Sequence, residues 1–164
     1  MTPEECQIET LKHIFKVRSK IEFFCRDLID RMLDHDDSKL QDPELEHFTR
    51  LTPKLKHSTY MSDEYKGFLE LLKPALDHHY KNNRHHPEHF PEGVNNMTLV
   101  DIIEMLCDWA AACGRHADGN LYQSILKNQL RFGLSAQLTQ ILINTAADME
   151  GMSVIDYAKK HSVK

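Results

Sequence analysis

From Glu4 to Asp42 the chain runs without a glycine or a proline, while apolar side chains recur at Ile8, Leu11, Ile14, Phe15, Val17, Ile21, Phe24, Leu28, Ile29, Met32 and Leu33. Steps of three and four residues put these on one side of a helix, and they rule out the two-residue alternation of a half-buried strand. Thr2-Pro3-Glu4-Glu5 marks the start, with a hydroxyl cap, a proline at the first helical position and a glutamate to close a capping box. Ser19-Lys20-Ile21-Glu22 has the same form. A second helix start inside the run is therefore open.

The rest of the chain repeats the helical pattern in shorter pieces. Residues 34–43 are polar and read as a loop or helix end, 43–50 as a short helix, and 51–62 as a connection. Ser62-Asp63-Glu64-Tyr65 opens a helix with Tyr65, Phe68, Leu69, Leu72 and Leu76 on one face, and Pro74 predicts a kink in it. Residues 81–97, rich in Asn, His and Pro, form a connection long enough to suggest function. Thr98 caps a helix to about Cys113, residues 114–119 connect, and helices follow over 121–132, 135–150 and 153–161. Neither a strand pattern nor an internal repeat is present. The expectation is an all-α fold, a single compact helical bundle over residues 1–164.

Net charge is −5, which argues against a nucleic-acid backbone or an anionic membrane as the main partner. No apolar run is long enough to span a bilayer, so a cytoplasmic protein is expected. The four cysteines, Cys6, Cys25, Cys107 and Cys113, form no CxxC pair and are expected as free, buried thiols. There is no glycine-rich phosphate loop, no GxSxG elbow and no HExxH helix.

Eleven histidines are the unusual feature, and six of them fall between positions 57 and 89. Imidazole is the commonest metal ligand among side chains. His35-Asp36 closes the first apolar run, with Lys39 one turn further on. His78-His79 is followed by Asn83, His85, His86 and His89, and Glu104 and Asp108 lie four apart on one helix. A carboxylate beside an apolar stripe, as Asp108 is beside Trp109, is costly unless paired or metal-bound.

In order these read His13, His35-Asp36, His79 with His85 and His86, then Asp108. The arrangement resembles the HD superfamily of metal-dependent phosphohydrolases, whose order is H…HD…H…H…D on an all-helical fold. More narrowly, it is similar to an uncharacterised family of small phage and bacterial proteins with the motifs HDxSK, HxxRNxHH and EMxxDW. The matching stretches here are His35 to Lys39, His79 to His86 and Glu104 to Trp109, with Asn82 standing where that family tends to have Arg.

The resemblance implies a metal held by His13, His35, Asp36 and Asp108, with His79 and one of His85 or His86 on a second metal or on substrate. We take His86 as the ligand and His85, Asn83, Arg84 and Lys39 as the substrate contacts. Asp37, Lys39 and Glu104 are the candidate catalytic groups. The implied cofactor is one or two divalent ions of Fe, Mn, Co, Ni or Zn. The implied activity is hydrolysis of a phosphoester, a nucleotide or nucleotide-derived small molecule, in a host cytoplasm if the gene is a phage's. A metal-containing protein that binds or sequesters a nucleotide without turnover is the alternative. Helical domains of this kind often pair through a terminal helix, so a homodimer is a further expectation.

One distance tests this set. His13 and His35 are 22 residues apart, or about 33 Å along a straight helix. Both can serve one ion of their own chain only if the backbone reverses near residues 18–23.

Overall fold

The computed structural model describes residues 1–57, 63–115 and 119–162, with no side-chain description at 55–57 and 65. Those residues form seven α-helices and no strand: α1 (Pro3–Asp34), α2 (Glu44–His57), α3 (Asp63–Asn82), α4 (Leu99–Gly114), α5 (Leu121–Phe132), α6 (Ala136–Met149) and α7 (Val154–Ser162). The all-α expectation holds. The chain divides into two compact units, Met1–Asp37 and Ser38–Lys164, where the sequence suggested one bundle.

The first unit is α1. Its capping box forms as expected: Glu5 N–H donates to Thr2 Oγ1 at 3.2 Å and Thr2 N–H to Glu5 Oε2 at 2.8 Å. The helix then continues unbroken through Ser19-Glu22, which is not a helix start. Nothing in the run disfavours helix, and ion pairs one turn apart, Glu22–Arg26 at 2.6 Å and Asp27–Arg31 at 3.3 Å, span its second half. The helix has no buried residue. Cys6 and Cys25 are therefore exposed, as is Cys107 on α4, while Cys113 is half-buried; all four are free, but not in the buried state expected of them.

In the second unit α2 packs on α3, and α5 touches α4, α6 and α7. The core gathers Leu106 from α4, Ile125 from α5, Leu142, Ile143, Ala146 and Ala147 from α6, and Tyr157 from α7. Helix α2 runs to His57, past the end expected near residue 50, with Pro53 inside it. An interior proline costs about 3 kcal/mol. Fully buried Leu51, with Leu72 and Ala75 of α3, offsets that cost. The connection expected over 51–62 is thus partly helix, and residues 58–62 lie outside the described residues. So do 116–118 of the connection expected over 114–119. Helix α3 passes through Pro74. The connection after it holds two short 3-10 turns, Pro87–His89 and Gly93–Asn96.

Tyr157 is fully buried, edge-on to Tyr122 at 6.1 Å, and its hydroxyl has no hydrogen-bond partner among the described residues. Burial above all, then Glu150 and Cys113, pushes its pKa up to about 12 from 10. The folded value lies above the unfolded one. The neutral phenol therefore contributes stability that is complete below pH 10 and lost as the pH rises through about 12. Tyr157→Phe is expected to stabilise the protein at neutral pH by about 1 kcal/mol, because it removes an unpaired buried group. It should also flatten the loss of stability above pH 10. Denaturant titrations at neutral and alkaline pH check both effects.

Candidate metal centre

Three imidazoles of the second unit converge. His79 lies near the end of α3, and His85 and His86 follow in the turn that α3 runs into. The Nε2 atoms of His79 and His86 are 2.8 Å apart. The His85 ring sits 4.1 Å from the His86 ring and 6.1 Å from that of His79, centroid to centroid. Each of the three offers a ligand nitrogen within 4.8 Å of the other two.

Carboxylates set which nitrogen faces inward. His79 Nδ1–H donates to Glu44 Oε2 at 2.9 Å, and His78 Nδ1–H donates to Glu44 Oε1 at 2.7 Å. His85 Nδ1 lies 3.0 Å from Glu104 Oε1. With the proton on Nδ1, the lone pair of a neutral imidazole is on Nε2, the atom a metal would take. Asn82 Nδ2 approaches His78 Nε2 at 3.3 Å, as expected if that nitrogen too is the acceptor. Glu44 is completely buried, yet its two oxygens serve two rings, which is the pairing a buried carboxylate requires. This donor set could hold a metal ion.

The other polar groups position the rings. Asn83 is buried and donates to the His79 carbonyl at 2.8 Å and to Ser38 Oγ at 2.7 Å. His89 Nδ1–H donates to the Tyr80 carbonyl at 2.9 Å. The Tyr80 ring packs on His86 at 5.0 Å. Burial, then Glu88, raises its phenol above the ordinary value, so Tyr80 stays neutral around the cluster.

Several sequence expectations change. His13 is exposed on an unbroken helix, about 33 Å along the axis from His35. It does not share an ion with His35 of its own chain. Arg84, expected on phosphate, grips Asp101 through two bonds of 3.1 and 3.0 Å and lies over Phe90 at 4.9 Å. Asp101 is fully buried and also accepts from Thr98, so the guanidinium ties the histidine turn to the start of α4. Asn83 is engaged with backbone and Ser38, His85 stands among the clustered imidazoles, and Glu104 orients His85.

His35 caps the end of α1, with Nε2 3.6 Å from Asp36 Oδ2. Asp36 has a φ of 60°, a left-handed conformation that few residue types other than glycine adopt. Asp37 is exposed, Lys39 is half-buried in the 3-10 turn Asp37–Leu40, and Asp108 is half-buried on α4 one turn beyond Glu104. Glu44 is the group the sequence did not expose. It stands 35 residues from His79, at the start of a helix, where a glutamate is ordinary.

Arg84→Ala is expected to lower the unfolding free energy by about 2–3 kcal/mol, because Asp101 would keep its burial and lose its cation. Arg84→Lys should recover less than half of this, since an ammonium cannot bridge both carboxylate oxygens in the plane of a guanidinium. Urea titration of the three proteins measures it.

The chain belongs to a family of unknown function, DUF5662, which it matches over residues 2–148. No curated protein and no solved structure matches it. No described helix is long and apolar enough to cross a membrane.

Proposed function

We propose that this chain is a metal-dependent phosphohydrolase acting on a phosphoester, a nucleotide or nucleotide-derived small molecule. The observation that carries the reading is the convergence of His79, His85 and His86, with the Nδ1 atoms of two of them held at buried or half-buried carboxylates. The motif order supports adding His35, Asp36 and Asp108 as further ligands.

When bound, a divalent ion supplies a Lewis acid for a phosphoryl oxygen and lowers the pKa of water toward neutrality. Ligation by imidazole and carboxylate suits one or two ions of Fe, Mn, Co, Ni or Zn better than Mg. Lys39 offsets phosphate charge, and Asp37 is the carboxylate left to accept a proton. Protein loaded with Mn, Co or Ni should release phosphate or nucleoside from a panel of nucleotides. Turnover that survives His35→Ala and Asp36→Ala unchanged would remove the assignment.

A second reading has one observation in its favour. Glu44 and Glu104 are both committed to imidazoles, so neither is spare for proton transfer. A metal-containing protein that binds a nucleotide without turnover fits that arrangement. Retention of intact nucleotide by the metal-loaded protein, with no product formed, selects it.

A further inference from the structure

Helix α1 carries an apolar face that nothing in its own unit covers. Val17, Ile21 and Phe24 are 42%, 56% and 48% exposed, and Leu11 and Met32 are exposed as well. Ile14, Ile21 and Leu28 recur every seven residues, and Val17 and Phe24 recur with the same period three residues further on. That is the seam of a two-helix coiled coil.

Charge selects the partner and its direction. Residues 10–21 hold Lys12, Lys16, Arg18 and Lys20 and no carboxylate, whereas residues 22–36 hold Glu22, Asp27, Asp30, Asp34 and Asp36 against Arg26 and Arg31. A parallel copy would lay the basic stretch of each helix along that of the other. An antiparallel copy with its two-fold axis near Phe23 sets the basic block of each helix against the acidic block of the other.

We propose that two copies of this chain pair antiparallel through α1, with the axis near Phe23, and that each copy delivers its His13 beside the other's His35-Asp36. In this register Ile21 faces the partner's Phe24 and Val17 faces the partner's Leu28. Lys20 then flanks the partner's Asp27, and His13 flanks the partner's Asp34. The overlap spans about 33 Å. The unbroken helix that takes His13 away from His35 in its own chain supplies it to the second copy. The pairing stands on α1 alone. The role given to His13 rests on the metal reading above.

Light scattering on metal-free protein at micromolar concentration should give a dimer. A short bismaleimide should join Cys25 to Cys25, both exposed and close to the axis, and should not join Cys6 to Cys6, roughly 50 Å apart in this register. Lys20→Asp and Asp27→Lys should each weaken the dimer at least about tenfold, and the double variant should restore it. A monomer, a Cys6–Cys6 product, or a double variant no better than the single ones overturns the pairing. His13→Ala should leave the dimer intact and weaken Mn or Zn binding about tenfold. Unchanged affinity overturns the delivery of His13. A chain that takes up no metal yet crosslinks at Cys25 sinks the metal reading and upholds the pairing.

Discussion

Glu44→Gln is expected to keep the fold and lower metal affinity by about 10- to 100-fold, the usual effect of removing a carboxylate behind a metal-binding imidazole. Glu44 accepts from His78 with one oxygen and from His79 with the other. A glutamine keeps the shape but replaces one acceptor with an amide donor, which meets an Nδ1–H head-on. One ring must then move its proton to Nε2 or rotate away. If that ring is His79, the lone pair facing His86 is lost. Glu44→Ala goes further, because buried His79 loses its acceptor, while the more exposed His78 can turn to water. The unfolding free energy should fall by about 1–3 kcal/mol, as when a buried donor is left without an acceptor. Metal titration reads the first variant and urea denaturation the second. A glutamine variant that binds metal as tightly as the parent would mean that Glu44 serves the packing of α2 on α3 and does not orient a ligand.

The other large effect is expected at the imidazoles themselves. His79→Ala and His86→Ala each remove one of the two nitrogens that face each other at 2.8 Å. Metal affinity should fall at least about a thousandfold, roughly 4 kcal/mol. The two changes should differ in stability. His79 is buried and its loss leaves Glu44 short of a donor, whereas His86 is half-buried. His79→Ala should therefore unfold at clearly lower urea than His86→Ala. His89→Ala is the internal control. Its ring is bound to the Tyr80 carbonyl, so metal affinity should stay within about twofold, a few tenths of a kcal/mol. Equal losses at positions 79, 86 and 89 would indicate nonspecific binding by a histidine-rich turn.

Much of the fold was legible because helices announce themselves locally. The capping box at Thr2 and the cap at Thr98 both rest on residues within one turn of each other. The open question at Ser19 and the early end expected for α2 near residue 50 were settled by non-local effects of one kind. A cap motif inside a good helix has nothing to start, and a proline can be outweighed by distant packing through Leu51. At the site, histidine enrichment pointed to His79, His85 and His86, which the fold brings together, since residue type is itself the signal. Roles were less legible. Arg84 and Glu104 each found a partner on another element, Asp101 and His85, that only the folded chain brings near. Glu44 gave no sign at all, because nothing local distinguishes a glutamate that will be buried from one that caps a helix start in water.

The central claim is that His79, His85 and His86 form a metal centre. Anomalous scattering from crystals grown with Mn, Co, Ni or Zn, recorded on both sides of the metal's absorption edge, tests it most directly. The expected result is a peak bounded by the Nε2 atoms of His79 and His86, with His85 beside them. No peak there at saturating metal, with His79 and His86 still hydrogen-bonded to each other, would contradict it.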